Sequence, residues 1–359
     1  MDLFIKDALD KVDHQASPES PPIGQATIKV AGVGGAGNNM VSWLHKKGIN
    51  GASVLAFNTD KQHLEMTSAD KKILLGAERT RGLGCGGYPE RGKAAAQDSS
   101  HEVKEALGRP DMVFICAGMG GGTGTGAAAP IAKMAKELGS IVIGTVTMPF
   151  KIERARIDRA EFGLQELRSV SDTVIVIDNN RLVQIAGNLP VEQAFAVANE
   201  LVSTMIRGIV ETIATPSLVN LDYADVKSIM TNGGVAVVGI GASDTEHRVQ
   251  EAVTKALTNP LLDITYEGAT GALIHIEGGP DMTLDEVAKA GEMITSSLDE
   301  DANVIWGARI NENMKGKILV MTIITGVKSP FILGKQAHAE VPEASRTFTL
   351  DNELGIRSM

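Results

Sequence analysis

Met112-Val113-Phe114-Ile115-Cys116-Ala117 leads, after two further residues, into Gly120-Gly121-Gly122-Thr123-Gly124-Thr125-Gly126, and Ala127 to Leu138 follows. The first stretch is a continuous apolar run and reads as a buried parallel strand. The last is rich in Ala and reads as a helix. A strand, a glycine-rich loop and a helix start together make an anion site. Glycine lets the backbone approach a ligand and turn its N–H groups inward, and the helix end adds about half a positive charge. The hydroxyls of Thr123 and Thr125 are further donors. The loop has no Lys and so does not match G-x-x-x-x-G-K-[ST]; Gly121, Gly122, Thr123, Gly124 and Thr125 would hold phosphates through backbone and hydroxyl groups.

A second such loop lies upstream. Ile28-Lys29-Val30-Ala31 reads as the first strand, and Gly32-Val33-Gly34-Gly35-Ala36-Gly37 precedes Asn38-Asn39 and a helix through about Lys47. Gly32, Gly34 and Gly37 fit G-x-G-x-x-G, the dinucleotide fingerprint, and Asp60 after the next strand, Val54 to Phe57, could serve as a ribose-binding acid. That reading makes the chain an NAD-dependent oxidoreductase. The second loop argues against it, because a dinucleotide site needs one glycine loop for its pyrophosphate, whereas two converging loops suit a nucleoside triphosphate.

With these motifs the sequence resembles the tubulin/FtsZ GTPases, and FtsZ in particular. The resemblance is carried by Gly120 to Gly126, by Gly32 to Asn39, by Thr80-Arg81-Gly82-Leu83-Gly84 and by Asn220-Leu221-Asp222-Tyr223-Ala224-Asp225, and it runs from about Ile28 to Gly326. It implies an α/β fold: a doubly wound parallel-sheet GTPase domain, a long central helix and a smaller α+β C-terminal domain with a mixed four-stranded sheet. The expected division is a flexible extension over 1–26, the GTP-binding domain over 27–189, the central helix over 190–214, the C-terminal domain over 215–330 and a disordered tail with an apolar docking motif over 331–359. The periodicity of the central helix expects Val191, Ala194, Phe195, Ala198, Leu201, Val202, Met205, Ile206 and Ile209 on its buried side.

Bulk properties fit a soluble protein of about two domains: 359 residues, 43% hydrophobic and 22% charged. A net charge of -10 and only 4% aromatics argue against nucleic acid and anionic lipid as partners. No apolar run approaches the ~20 residues of a bilayer span, and the N-terminus has no signal-peptide pattern, so no direct membrane insertion is expected. Cys85 and Cys116 read as reduced cytoplasmic thiols, and the seven His show no metal-ligand spacing.

The resemblance also implies roles. In the phosphate site it places Gly34, Gly35, Ala36, Gly37 and Asn38 beside the second loop. For guanine and ribose it implies Asn39, Glu153, Arg156 (with Arg154 as an alternative), Asn179 (with Asn180 as its rival), Phe195 stacked on the base, and Asn199. The family pattern is Glu-Gly with an Arg four residues past the Glu; here Glu153-Arg154-Ala155-Arg156 has lost one residue, the Gly. The family also has Asp where this chain has Asn199. A carboxylate accepts from both guanine N1–H and N2–H₂, while a carboxamide offers one acceptor oxygen.

Asp222 and Asp225 stand three apart at the start of a helical pattern. By spacing alone they read as helix caps. By resemblance they are the catalytic pair, helped by Asn220, which acts on the γ-phosphate of a neighbouring subunit, so that hydrolysis requires head-to-tail assembly. The implied ligands are GTP and GDP, with Mg²⁺ held through the phosphates and water and not by protein ligands. The implied partners are further copies of the chain and a membrane-anchoring adaptor, SepF-like or FtsA-like, on the tail. The implied setting is the cytokinetic ring at mid-cell, and Ala269 to His275 is similar to archaeal members. The altered base reader supports one alternative, a nucleotide-binding scaffold or regulatory paralogue with little turnover.

Overall fold

The computed structural model describes residues 26–214, 222–231, 233–258 and 269–327. The apolar runs become the strands β1 (Ile28–Val33), β2 (Ala52–Asn58), β3 (Lys71–Leu74), β4 (Met112–Gly118), β5 (Ile141–Met148), β6 (Thr173–Asp178), β7 (Gly234–Ser243), β8 (Gly271–Gly278), β9 (Asn303–Ile310) and β10 (Ile318–Thr325). They form one ten-stranded sheet in the order β3-β2-β1-β4-β5-β6-β7-β10-β8-β9.

Strands β1 to β6 pair in parallel, with β1 between β2 and β4. The order therefore reverses between β1 and β4, where an open α/β sheet leaves a crevice at the carboxyl ends of its strands. The four strands of the C-terminal half are mixed: β10 runs antiparallel to both β7 and β8, and β9 is parallel to β8. The halves join where β6 and β7 pair from Thr173 to Ile175.

Both faces of the parallel part are covered, which is why its strands are apolar throughout and do not alternate. On one face the helices Pro89–Asp98, Thr123–Glu137 and Ala155–Val170 close a core that includes Ile115, Ile131, Leu164 and Leu167. On the other face lie the helix Gly34–Lys47 and the central helix Val191–Ala214. Val202, Met205, Ile206 and Ile209 of the central helix share one core with Phe114 of β4 and with Met321 and Ile323 of β10, so it packs on both halves of the sheet. A separate core lies under the helices Arg248–Leu257 and Leu284–Thr295.

The first turns of the central helix depart from the sequence expectation. Val191 is 72% and Phe195 43% exposed, while burial begins at Ala198. Periodicity identifies the apolar face but not how far the sheet beneath it extends, and here the sheet is covered only from the third turn onward.

Candidate functional site

The glycine loops are shorter than the sequence suggests, because the helices start earlier. One helix begins at Gly34 and the other at Thr123, so Gly34, Gly35, Ala36 and Gly37 and also Thr123, Gly124 and Thr125 are first-turn residues. Neither helix has a side-chain cap: Val33 and Gly122 occupy the N-cap positions with no capping hydrogen bond. Their leading N–H groups are thus left for a ligand. The two starts abut. A methyl group on Gly34, whose φ is +73°, would lie 2.7 Å from the Gly124 nitrogen. One on Gly37 would be driven into the Cys116 carbonyl, so glycine there lets the helix lie close on β4.

The threonines divide in role. The Thr123 hydroxyl is partly exposed and shares a hydrogen bond with the Thr59 hydroxyl at 2.7 Å. Thr125 is buried, and its Oγ1 accepts from the Gly120 N–H at 2.8 Å. Sequence reading treats the two hydroxyls as equivalent donors, whereas the fold turns Thr125 inward, where it braces the loop. Asn38 is also fully buried, and neither of its amide atoms finds a partner among the described residues. Asp60 caps the helix Lys61–Met66 by accepting from the His63 N–H at 3.0 Å, a structural use for the residue that could have read ribose.

Beside the loops is a cleft of about 370 Å³. It gathers Gly35, Ala36, Asn39, Asn179, Phe195 and Asn199 from three separated stretches of chain. Sequence reading missed His63 and Thr147, which also line it; neither belongs to a glycine motif, and only the packing of helix Lys61–Met66 and β5 brings them here. Asn199, one helical turn from Phe195, faces the same space. Of the two candidate asparagines, Asn180 is engaged elsewhere: its Oδ1 accepts from Lys151 N–H at 2.8 Å and its Nδ2 donates to Asp178 Oδ1 at 2.7 Å. Asn179 is the one in the cleft.

Glu153 and Arg156 do not line this cleft. They pair with each other, Arg156 Nη1 donating to Glu153 Oε2 at 2.6 Å, while Glu153 Oε1 accepts from the Phe150 N–H at 3.0 Å. Arg156 lies against the second loop, since a methyl group on Gly120 would come 3.0 Å from its Cβ. The rival Arg154 carries φ +34°, a backbone that favours glycine. Directly after Glu153, where the family pattern has Gly, an arginine takes that backbone.

Asp222 and Asp225 form a complete capping box. Asp222 Oδ1 accepts from the Asp225 N–H at 2.8 Å, and Asp225 Oδ2 accepts from the Asp222 N–H at 3.1 Å. The capping that spacing alone suggests is therefore present, and both carboxylates remain accessible to solvent. Their helix, Tyr223–Met230, is anchored by the Tyr223 hydroxyl, which donates to the Asp111 carbonyl at 2.9 Å. Asp111 precedes β4, whereas the glycine loops follow β1 and β4, so the carboxylates stand at the opposite end of the parallel strands from the cleft. Asn220 and the whole tail lie outside the described residues.

Among the described residues no three His, Cys, Asp or Glu side chains come together as a metal site, and no helix is long and apolar enough to cross a membrane. Both cysteines are buried and free, and burial pushes the Cys116 thiol up to about 12.

The switch-point crevice, with two uncapped helix starts and a cleft of amide and aromatic side chains beside them, defines a nucleotide-binding protein of the tubulin-like α/β class. Residues 27–187 match the Tubulin/FtsZ family GTPase domain, and residues 234–328 match the FtsZ family C-terminal domain. The chain is 54% identical to Cell division protein FtsZ 2 of Methanocaldococcus jannaschii, covering 96% of this chain and 91% of that protein. It is 48% identical to Cell division protein FtsZ 2 of Halobacterium salinarum, covering 96% and 88%. An empty FtsZ dimer from M. jannaschii superposes with a TM-score of 0.80 at 46% identity, covering 90% of this chain and 92% of that one. The chain belongs to the FtsZ family of GTPases.

Proposed function

We propose that this protein binds GTP at the paired glycine loops, assembles head to tail through it, and hydrolyses it at the contacts between subunits. The observation that carries the reading is the separation of the two halves of the site. Strand β4 alone, with seven residues, spans roughly 20 Å, so Asp222 and Asp225 cannot reach the nucleotide of their own subunit. Carboxylates beside the phosphate loops would repel a triphosphate; at the far end they can meet the γ-phosphate of the next copy. There they would orient a water and take up its proton as it attacks, with Asn220 assisting. An interface between unlike surfaces does not close, so repetition gives a filament.

Phe195 would stack on guanine, and Asn39, Asn179 and Asn199 would hydrogen-bond the base and ribose, with Glu153 and Arg156 at the edge of the second loop. The loops offer neutral donors and no carboxylate, so Mg²⁺ would be held through the nucleotide and water and not by protein ligands, and would offset charge on the phosphates. The filament would form the cytokinetic ring in the cytoplasm at mid-cell, with a membrane-anchoring adaptor bound to the tail. The pairing of Glu153 with Arg156, away from the cleft, favours as a second reading a scaffold that binds nucleotide and turns it over slowly.

Light scattering and phosphate release followed together with GTP, GDP and ATP test this. GTP alone should raise scattering, which should decay as phosphate accumulates. Scattering that persists without phosphate release would favour the scaffold, and equal responses to GTP and ATP would refute the reading.

A further inference from the structure

The nucleotide cleft contains one imidazole that neither glycine motif explains. His63 stands on the helix Lys61–Met66, half-buried, and lines the cleft beside Gly35 and Ala36. Its ring orientation follows from Asn58. The Asn58 Oδ1 accepts from the backbone N–H groups of Thr59 at 2.9 Å and Asp60 at 3.3 Å. Two N–H donors require the oxygen there, so the amide nitrogen of Asn58 is the atom that faces His63 Nδ1, at 3.4 Å. An N–H₂ group can only donate, which makes Nδ1 the acceptor and places the ring proton on Nε2. Nε2 points to the first glycine loop, 4.0 Å from where a methyl group on Gly35 would sit. No protein acceptor takes this N–H among the described residues.

We propose that His63 is a specificity-determining residue of the nucleotide site, whose Nε2–H donates to a phosphate oxygen of the nucleotide seated on Gly34 to Gly37. A loop without Lys has only backbone and hydroxyl donors, and His63 adds a side-chain donor that senses phosphate and not base. Asn58 sets the direction of that donor and Asp60 fixes the turn that carries it. The inference rests on the GTP-binding reading above.

The test compares His63→Leu and His63→Gln in the full chain by competition of guanosine, GMP, GDP and GTP against a fluorescent GTP analogue. His63→Leu keeps bulk without a donor and should weaken GDP and GTP by ~10- to ~100-fold, the range for a lost hydrogen bond to a charged group, with guanosine unchanged. His63→Gln places an amide N–H₂ near the position of Nε2 and should recover most of that loss. The inference is overturned if His63→Leu binds GTP as the unsubstituted protein does, if guanosine weakens as much as GTP, or if His63→Gln is no better than His63→Leu. A wild-type protein that does not prefer GTP to ATP would instead refute the underlying reading.

Discussion

The helices that begin at Gly34 and Thr123 start with no side-chain cap, whereas Tyr223–Met230 and Leu284–Thr295 each start with a full capping box. All four face the same electrostatic problem, because the first N–H groups of any helix lack intrahelical acceptors. In the C-terminal half Asp222 and Thr283 solve it within the chain. At the nucleotide end Val33 and Gly122 occupy the same positions, have no side chain that can cap, and leave the donors open. The difference separates a helix start completed by its own sequence from one that requires an anion. It also explains why the only carboxylates assigned to the reaction can double as caps: they stand where no phosphate of their own subunit competes.

The sharpest way to break this comparison is Asp222→Asn. Asparagine caps a helix about as well as aspartate, so the melting temperature should hold while GTP turnover falls by ~10²–10⁴-fold, the usual worth of a positioned acid–base group. GTP binding by the monomer should be unchanged, and polymers should persist. Turnover that survives would leave Asp222 with capping alone.

The C-terminal half should carry its own pH dependence. His275 on β8 is 4% exposed, its Nδ1 has no partner among the described residues, and burial pushes its pKa down to about 4. The neighbouring Glu277 opposes that shift and Arg309 adds to it. A folded value below the unfolded one means that the unfolded chain binds the extra proton. The contribution is therefore complete above about pH 6.5 and is lost as pH falls toward 4, by about 3 kcal/mol. Denaturant titrations at pH 7 and pH 4.5 should show that loss, and His275→Leu should reduce it. An unchanged pH slope would mean that His275 takes up its proton as readily in the folded chain as in the unfolded one.

Thr123→Val tests the open end more gently. It keeps the shape of the first turn and removes the hydroxyl that now meets Thr59. GTP affinity measured by titration should drop by ~1–3 kcal/mol. An unchanged affinity would place the phosphates on the first loop alone.

The smallest effect is expected at Asn199→Asp. A second acceptor should sharpen discrimination between GTP and ITP, which differ only in the N2 amine, with little change in stability. Equal selectivity in competition binding would move Asn199 off the base.

Much of the site was legible because its chemistry is local. Glycines following an apolar strand announce a loop wherever the chain goes, and the four-residue spacing of Phe195 and Asn199 puts them on one helix face. Other assignments failed or stayed open for a physical reason. Thr123 and Thr125 look alike in sequence, but the helix leaves one partly exposed and buries the other. Asn179 and Asn180 are adjacent and chemically identical, and only the hydrogen bonds to Lys151 and Asp178 show which is occupied. His63 carried no signal, since a lone histidine three residues past an aspartate reads as nothing more than part of a capped helix.

By itself the sequence determined the alternation of strands and helices, the two glycine loops and the family, because short-range periodicity and backbone freedom are written into consecutive residues. Only the tertiary structure decided that the loops converge at a reversal of strand order, that Val191 and Phe195 lie beyond the covered part of the sheet, and that Asp222 and Asp225 stand at the opposite end from the cleft. Those facts depend on which strands pair and which helix covers them, and pairing joins residues far apart in the chain through a packing free energy that no local window contains.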